Sequence, residues 1–421
     1  MKKHYISVLS LVFVVLFSSF AGAQDEVVLR IASAIEGPEE VAISDKIVAE
    51  FEETHPGVKV EWDRSTGEDY QFTGLPSLLE SDTPPDIYFE WGGNRVVNHA
   101  LDGEALAITD LAEEMKSFMN ESAWSGGEYQ GEQYLIPYAQ DVTIMIWYNK
   151  DLFDRLDLKE PATWDEFLNV CQVLKDHDIT PILMGNADAW VAGNFGGLFL
   201  SRWAGEEKTN KILSLEKGTR LDDPDFVKAL EFAYQLGEQG FVNDDMNTLG
   251  YEESFARLFN ESAAMYPLGT WFKQEVVAEF APDPEKANFA FFNLPPFSGG
   301  KGEPKSIMGL NVGLLVNQNT EHKELAYDFL RIYMQAKYQQ EFLEIGRIVS
   351  HKDVLGDTDN EYTLKVVDML NTTPAVVAPP DTGYNLEMAA ALYEAIAKVF
   401  VNAATAEDAL NVAENKIKHL R

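Results

Sequence analysis

The feature of the sequence that most constrains the fold is the stretch 136–153. Near its start a proline is followed by an aromatic residue, which predicts a turn, and one acid, Asp141, comes soon after. A mostly apolar, strand-like run follows and ends at the polar turn 148–151. Near-continuous apolar runs bounded by turn residues are typical of buried strands in mostly parallel sheets. We therefore expect the chain to cross from one lobe to another here, with Asp141 at the crossing.

The length of the chain predicts two domains, because 421 residues exceed the size of an ordinary single core. The first residues have a separate role. Lys2 and Lys3 precede a short apolar run, and Ala21-Gly22-Ala23 follows it. This order is typical of a secretory signal peptide, so we predict that residues 1–23 are removed by cleavage after about Ala23. The alternative is an uncleaved anchor helix, for which the apolar run is short.

Charge and cysteine content limit the possible partners. The formal net charge of −36 repels nucleic acid and anionic membranes, so we expect neither as a partner. The only cysteine, Cys171, cannot form an internal disulfide, and its apolar neighbours at helical spacing indicate a core position. No cysteine directly follows the apolar run, so no lipid anchor is expected there. These observations predict a soluble exported protein in a periplasm.

The order of elements in the first hundred residues predicts an α/β fold. Strand patterns lie at 27–32, 58–62 and 87–89, with helical patterns between them. This alternation is typical of a doubly wound α/β lobe. Further strand patterns lie at 180–185, 263–266, 289–293 and 309–317, and the sequence after 321 is mainly helical. Thr163-x-x-Glu166 and Thr405-x-x-Asp408 predict two helix starts with capping boxes.

Motifs of enzymes are absent from the sequence. It contains no Gly-x-Ser-x-Gly elbow, no phosphate-binding Gly-Lys-Ser/Thr loop and no Gly-x-Gly-x-x-Gly fingerprint. Its seven histidines include no pair with metal-ligand spacing on one helix. We therefore expect a protein without enzymatic activity, cofactor or bound metal.

Three tryptophans follow strands or lie at turns beside small or polar residues: Trp91, Trp190 and Trp271. Ligands of α/β sheets bind outside the carboxyl ends of strands, where an indole offers a flat apolar surface. Sugars have apolar ring faces and hydroxyl groups at their edges. A sugar site therefore needs aromatic surfaces together with acids, amides or an arginine. We predict that these tryptophans bind ligand; the alternative for each is a core position.

Three acids are further candidates for ligand binding. Asp141 lies at the predicted crossing, where the alternative is a structural hinge residue. Asp188 lies in the loop directly before Trp190. Glu36 lies in a loop before the first predicted helix, where the alternative is a partner of the helix dipole.

Several short motifs together resemble a known family. They are Tyr-Asn-Lys-Asp-Leu at 148–152, Pro-Ala-Thr-Trp-Asp-Glu-Phe at 161–167, Phe-Asn-Glu-Ser-Ala-Ala-Met at 259–265 and Gly-Thr-Trp at 269–271. Their order and spacing are similar to those of the extracellular solute-binding proteins of carbohydrate ABC transporters, a family that includes the maltose-binding protein. The resemblance covers nearly the whole chain after the signal peptide.

The resemblance implies two doubly wound α/β lobes that are joined by hinge crossings and close on a sugar. It places the crossings near 137–141, 293–297 and 331–336. Lobe one is then expected to comprise residues 24–139 plus 297–333, and lobe two residues 140–296 plus 334–421.

The resemblance also implies site residues. Trp91, Asn94 and Arg95 correspond to a tryptophan, an acid and an arginine of the first lobe, so Asn94 departs from the acid of the maltose binder. Trp271 corresponds to the stacking tryptophan of the second lobe, and Tyr393 lies near another aromatic position. Asn311, on the strand predicted at 309–317, completes the candidate ligand-binding residues, and the loop 379–384 lies near the cleft.

We therefore expect a periplasmic receptor that captures an oligosaccharide between its lobes and delivers it to an ABC permease in the membrane. A monomer is expected. The alternatives are a receptor of the same fold for another solute, such as a polyol, a peptide or a metal chelate, a secreted glycoside hydrolase or lyase, and an exported structural protein.

Overall fold

The computed structural model describes residues 27–34, 37–65, 67–356, 358 and 360–421. The predicted signal peptide, 1–23, and the candidate residue Glu36 lie outside these ranges and stay predictions. The described chain forms two α/β lobes, each with its own main sheet and its own hydrophobic core. Among the helices in these ranges, none combines the length and the apolar character needed to cross a bilayer.

Four of the strands have eight or ten residues, and the others are shorter. They are β1 Val27–Ala34, β2 Val58–Ser65, β3 Ile87–Trp91, β4 Glu128–Tyr129, β5 Glu132–Gln133, β6 Leu135–Val142, β7 Met145–Asn149, β8 Thr180–Ile182, β9 Ala263–Leu268, β10 Phe289–Phe292, β11 Ile307–Val316 and β12 Val376–Val377.

The α-helices alternate with the strands and dominate the carboxy-terminal part. They are α1 Pro38–Thr54, α2 Gly67–Asp69, α3 Leu75–Leu79, α4 Asn94–Asp102, α5 Thr109–Met115, α6 Lys150–Arg155, α7 Trp164–Asp176, α8 Trp190–Ala204, α9 Glu206–Leu213, α10 Pro224–Glu238, α11 Tyr251–Phe259, α12 Ala278–Phe280, α13 Lys323–Tyr333, α14 Ala336–Glu344, α15 Lys352–Leu355, α16 Glu361–Thr372, α17 Pro380–Gly383, α18 Leu386–Phe400 and α19 Ala406–Lys416. Shorter turns of 3₁₀-helix lie at Glu121–Trp124, Thr270–Phe272, Pro284–Lys286 and Lys418–Leu420, and turns of π-helix at Tyr70–Gly74 and Lys273–Val277.

In both predicted capping boxes, the hydrogen bond from a backbone N–H of the helix to the threonine side chain is present. The Thr163 side chain accepts a hydrogen bond from the backbone N–H of Glu166, and Thr405 accepts one from Asp408. Each bond satisfies an amide that the helix itself leaves without a partner. The helices α7 and α19 therefore begin where the sequence predicts.

The first sheet is built around β1, which pairs in parallel with β2 and with β3. β11 returns antiparallel to β3 and to β6, and β12 pairs with its first residues. The strands predicted at 27–32, 58–62 and 87–89 are confirmed as β1, β2 and β3. Their apolar residues, such as Leu29, Ile31 and Ile87, are almost completely buried, which explains why the pattern was detectable.

The second sheet has the order β10-β7-β9-β8. β7, predicted in a mostly parallel sheet, is antiparallel to β9 and β10, and only β8 and β9 are parallel. The path of the chain gives the reason. β7 leads away from the crossing into the second lobe, whereas β10 leads back towards the first lobe, so the two strands run in opposite directions.

The stretch 136–153 forms two strands and a helix start rather than a single strand. Only Thr143 and Ile144 separate β6 in the first sheet from β7 in the second. The turn predicted at Pro137 is wrong, because this proline lies inside β6, opposite Gly313, where the register with β11 shifts. Proline has no N–H to donate, and an irregularity in the ladder is a position where a sheet tolerates it.

The packing of α14 bears on where the lobes divide. The sequence predicts residues 334–421 in lobe two, but Tyr338 and Phe342 of α14 lie in the core of the first lobe. The Tyr338 hydroxyl donates to Glu50 of α1 at 2.5 Å, and the Phe342 ring lies 5.4 Å from the Tyr333 ring. These contacts attach α14 to elements of the first sheet.

The segment before β11 is predicted in lobe one, but it packs in the second lobe. Phe297, which begins the second part of the predicted lobe one, is buried in the core of the second lobe together with Ile307 and Met308. We therefore propose that the lobes divide after Val142, within β11 near Gly309, and near residue 356.

Candidate functional site

A cleft lies between the two lobes at the crossing. It encloses about 840 Å³ of space, open solvent at its mouth included, and is lined by residues of both lobes. The lining combines aromatic rings, carboxylates, amides and hydroxyl groups: Ala34, Gly67, Gln71, Trp91, Asp141, Thr143, Trp190, Asn194, Tyr251, Trp271, Glu275, Leu310, Pro379, Asp381 and Thr382. This composition suits a ligand with both apolar faces and hydroxyl groups.

Three aromatic side chains of the second lobe form one wall. Trp190 begins α8, Tyr251 begins α11, and Trp271 follows β9. The Trp271 indole N–H donates to the Tyr251 hydroxyl at 2.9 Å, and the Trp190 ring lies 5.1 Å from the Tyr251 ring and 6.1 Å from the Trp271 ring. Gly269 makes this arrangement possible, because a Cβ there would lie 1.9 Å from the Trp271 ring. The hydrogen bond and the ring contacts hold the three surfaces in place.

Trp91 faces the cleft from the first lobe, at the carboxyl end of β3. Its ring packs edge-on against Phe89 at 4.8 Å, and the Arg95 guanidinium lies over it at 5.1 Å. Arg95 does not line the cleft. Its Nε donates to Glu90 Oε1 at 2.6 Å, so the arginine fixes the indole from behind.

Glu90 is the centre of a buried charge network behind Trp91. It is 0% exposed and is held by Arg95, while Nε2 of His99 lies 2.8 Å from its Oε2. Burial raises the pKa of the Glu90 carboxyl, but the charges and hydrogen bonds of Arg95 and His99 outweigh that effect and lower it to about 2. For His99, burial acts to lower the pKa, and the bonds to Glu90 and Glu104 raise it overall. The network is therefore charged at neutral pH on the glutamate and the arginine.

Asp141 lines the cleft next to the crossing and connects the two lobes. It lies on β6, and its Oδ1 accepts a hydrogen bond from the Thr270 hydroxyl of the second lobe at 2.7 Å. The Arg347 guanidinium lies 3.7 Å from the same oxygen. Thr270 is held in turn by Tyr362, whose hydroxyl donates to its carbonyl oxygen at 2.7 Å. Asp141 therefore combines a structural contact with a position on the cleft surface.

Asp381 and Asn194 lie together on the second-lobe side and share one tyrosine. The Tyr393 hydroxyl donates to Asn194 Oδ1 at 2.5 Å and accepts a hydrogen bond from the Asp381 backbone N–H at 3.2 Å. Burial raises the pKa of the Asp381 carboxyl, and the opposing effects of Tyr393 and of the Arg95 charge are smaller. Tyr393 therefore acts from behind the cleft surface and positions two residues that line it.

The close packing of α8 on α18 depends on Gly193, and we predict that Gly193→Ala destabilises the protein. A Cβ at this position would lie 2.3 Å from the Tyr393 ring, so the tyrosine or the helix must move. Overpacking of this kind lowers the free energy of unfolding by about 1–3 kcal/mol. Urea unfolding measures the change. Gly356→Ala is the control, because the nearest atom to its Cβ would be 3.6 Å away, and an equal loss in both variants would contradict the prediction.

The structure brings four of the predicted site residues into the cleft: Trp91, Asp141, Trp190 and Trp271. Their roles in ligand binding stay predictions. Arg95 and Tyr393 lie behind the cleft surface, where they contact residues that line it. Asn94 begins α4 and donates to Asn98 at 3.5 Å, and Asp188 is exposed in the loop before α8. Neither of these two lines the cleft.

Asn311 lines a second pocket that adjoins the cleft at Asp141 and Leu310. Its Nδ2 donates to the carbonyl oxygens of Ser122 and Ser125 at 3.2 and 2.8 Å. These bonds attach the turn Glu121–Trp124 to β11. The structural contacts of Asn311 therefore explain its position without a ligand.

Sequence reasoning missed several residues that line the cleft, among them Asn194, Tyr251, Glu275 and Asp381. One of them carried a usable signal. Asn194 follows Trp190 by four residues on the same helix, so both lie on one helix face. Asp381 lies in the loop predicted at 379–384, but no single residue of that loop is among the predicted site residues.

Comparison with known proteins agrees with the fold. Residues 36–340 match the family of bacterial extracellular solute-binding proteins. An uncharacterised ABC transporter extracellular-binding protein of Pyrococcus horikoshii is 26% identical over 254 residues, 59% of this chain and 58% of that protein. The diacetylchitobiose binding protein DasA of Streptomyces coelicolor is 26% identical over 72% of this chain and 70% of that protein. The matches to the first relatives thus span slightly more than half of their length.

Solved structures share the architecture of both lobes. A chitin oligosaccharide binding protein superimposes with a TM-score of 0.83 and 22% identity, over 94% of this chain and 99% of that one. These three proteins are named as binding proteins rather than as enzymes. With a match that covers most of its length and a two-lobed α/β fold of the same kind, the chain belongs to the family of bacterial extracellular solute-binding proteins.

Proposed function

We propose that the protein is a periplasmic carbohydrate-binding receptor of an ABC transporter. It captures a sugar, in particular an oligosaccharide, in the cleft between the lobes and delivers it to the permease. The observation that carries this proposal is that Trp91 of the first lobe lines the same cleft as Trp190 and Trp271 of the second lobe, together with Asp141.

The chemistry of the cleft supports a sugar. Indole rings cover the apolar faces of pyranose rings, and carboxylates and amides accept or donate the hydrogen bonds of hydroxyl groups. Because the aromatic surfaces belong to different lobes, a bound ring contacts both lobes. A ligand stabilises the closed state only through contacts that it makes better in that state.

The charge of the lining favours uncharged ligands over anions. Asp141, Glu275 and Asp381 line the cleft, and no lysine, arginine or histidine of the described chain lines it. An anionic sugar would meet negative charge without a cation on the surface. The names of the relatives agree, since they include a multiple sugar-binding protein and a diacetylchitobiose binding protein.

The remaining parts of the proposal follow from the family and the sequence. We expect the signal peptide to be cleaved after about Ala23, and the mature protein to act as a monomer without cofactor or metal. It would bind its sugar without chemical change and dock with the permease subunits of the transporter.

We predict that a neutral sugar raises the thermal unfolding midpoint of the mature protein. A ligand that binds only the folded state stabilises it by about 2.7 kcal/mol at a concentration one hundred times its dissociation constant. The panel contains glucose, galactose, maltose, cellobiose, xylobiose, N,N′-diacetylchitobiose and raffinose, with sorbitol and galacturonic acid as non-sugar and anionic comparisons.

Chromatography of the sugar after incubation accompanies the thermal measurement. A raised midpoint with the sugar recovered intact supports the receptor. A sugar that is consumed would instead identify an enzyme, and a panel without any shift would contradict the carbohydrate assignment.

A further inference from the structure

The two lobes carry negative charge of similar size. Without the predicted signal peptide, the first lobe, residues 24–142 plus 309–356, contains 32 aspartates and glutamates against 11 lysines and arginines, a formal net charge of −21. The second lobe, residues 143–308 plus 357–421, contains 37 against 20, a formal net charge of −17. Charge of one sign on both bodies opposes any motion that brings them together.

In the first lobe, part of this charge lies at the cleft. Asp141 lines the cleft, and Arg347 offsets its charge only in part, because the same guanidinium lies 3.7 Å from Glu40 and 3.7 Å from Asp141. Helix α1 begins four residues after Ala34, which lines the cleft, and carries the exposed Glu39 in its first turn. The first-lobe side of the cleft is therefore acidic.

The second-lobe side is acidic in the same way. Glu275 lines the cleft. The exposed Glu252 directly follows Tyr251, and the exposed Asp188 lies two residues before Trp190, so each neighbours a residue that lines the cleft. Acids of the two lobes therefore lie on both sides of the same opening.

Little positive charge lies at the cleft to offset these acids. Among the described residues, Lys273 is the only lysine, arginine or histidine within two positions of a residue that lines the cleft. Its ammonium lies 5.1 Å from the centre of the Tyr362 ring. Helix α1 contacts the turn Lys273–Val277, which also carries Glu275, so the acidic start of α1 meets an acid of the second lobe where the lobes approach each other.

Salt determines how strongly charges on the two sides repel each other. Exposed charges interact over the Debye length, which is about 30 Å at 0.01 M salt and about 8 Å at 0.15 M. The cleft encloses about 840 Å³, so its two walls lie well within the longer of these distances. Repulsion across the cleft is therefore strong in dilute salt and is screened in concentrated salt.

We propose that repulsion between the two acidic lobes opposes closure, so that the affinity of the receptor for a neutral sugar rises with salt concentration. This inference rests on the proposed function, because it concerns the closure that a bound sugar stabilises. A ligand that prefers the closed state binds more weakly when closure itself costs more free energy. Salt lowers that cost without acting on the charge of the sugar, which is zero. The acidity of the chain thus makes capture sensitive to the salt around the cell.

The first test uses the wild type and needs no variant. Calorimetry measures its affinity for the tightest-binding neutral sugar of the panel named above at several concentrations of sodium chloride. We expect the affinity to rise about threefold or more between about 0.01 M and about 0.5 M salt. A neutral ligand in a site that needs no closure would show no such slope.

A pair of double variants shows whether the charges at the cleft cause the slope. Glu39→Gln with Glu252→Gln removes one charge from each side of the cleft, and Glu324→Gln with Glu407→Gln removes one charge from each lobe elsewhere. All four are exposed glutamates in the first turn of a helix, so the loss of their contact with the helix dipole is matched. The cleft variant should bind more tightly than the wild type in dilute salt and respond less to added salt. The control variant should keep nearly the wild-type affinity and slope.

The control positions are distant from the cleft. Glu324 begins α13 shortly after Thr320, whose hydroxyl donates to Asp86 directly before β3. That end of β3 is opposite to the one where Trp91 faces the cleft. Glu407 lies in α19, and no described residue of this helix lines the cleft.

Two results would overturn the inference. One is a wild-type affinity that stays constant or falls as salt is added, and the other is an equal response to salt in the cleft variant and the control variant. Failure of the proposed function is distinct from both, because the wild type would then bind no sugar of the panel at any salt concentration.

Discussion

Replacing Trp271 with alanine should weaken sugar binding by about thirty- to several-hundredfold, while the chain stays folded. Truncation of an aromatic group at the centre of a binding surface commonly removes about 2–4 kcal/mol of binding free energy. Trp271 occupies such a position, because its indole is fixed by Tyr251 and lies beside Trp190. The ring packs at the edge of the second core rather than inside it, so the core remains.

Calorimetric titration with the panel sugar measures this loss, and Trp203→Ala is the matched control. Trp203 is also a partly buried tryptophan of the second lobe, but it packs against Phe232 at 5.5 Å and does not line the cleft. Its removal should leave the affinity unchanged. Equal losses in both variants would show that the effect of Trp271→Ala comes from a general weakening of the lobe.

Replacing Arg95 with methionine should lower the free energy of unfolding by about 3–5 kcal/mol. Removal of one partner of a buried ion pair leaves the other charge without compensation. Glu90 is 0% exposed, and Arg95 is its strongest cationic contact at 2.6 Å. The sequence assigns Arg95 to ligand binding, whereas this prediction makes the stability of the first lobe its main contribution.

Urea unfolding of Arg95→Met and of Arg155→Met gives the comparison. Arg155 pairs with Glu261 at 2.6 Å, but both side chains are substantially exposed, and exposed pairs contribute at most about 1 kcal/mol. A similar small loss in both variants would contradict the buried-charge argument.

The pH dependence of stability supplies a second measurement on the same network. The pKa of Glu90 is lowered to about 2 in the folded protein, so its contribution to stability is present above the unfolded value and is lost as the pH falls from about 4.5 towards 2. In the wild type, acid unfolding should therefore include a component from this residue. That component should be smaller in Arg95→Met, where the ion pair is already broken.

The strands of the first lobe could be predicted because their pattern is local. β1 and β3 consist of short apolar runs, and turn residues bound them in the sequence. The same local argument placed Trp91, Trp190 and Trp271 near a cleft, because each follows a strand end or a turn. The direction of β7 could not be predicted from its own residues, because it depends on pairing with strands far along the chain.

The residues that were missed reach the cleft through tertiary packing. Asp381 lies there because Tyr393 holds its backbone and Gly193 lets Tyr393 approach, and none of this is visible in the loop itself. Asp188 shows the opposite error. It is two residues from Trp190, but Ala189 has a left-handed φ of 66°, and the helix begins only after it. Asp188 is left in the exposed loop, while Trp190 faces the cleft.

The two-residue connection between β6 and β7 has a consequence for the order of events during capture. If the lobes rotate about this connection, atoms close to the axis are displaced least and those at the rim most. Asp141 is two residues from the connection, so it should hold nearly the same place throughout the motion. Trp91 and Trp271 lie on opposite sides and should approach each other only as rotation proceeds. An incoming sugar would then be oriented first by the stationary carboxylate, and enclosed by the rings afterwards.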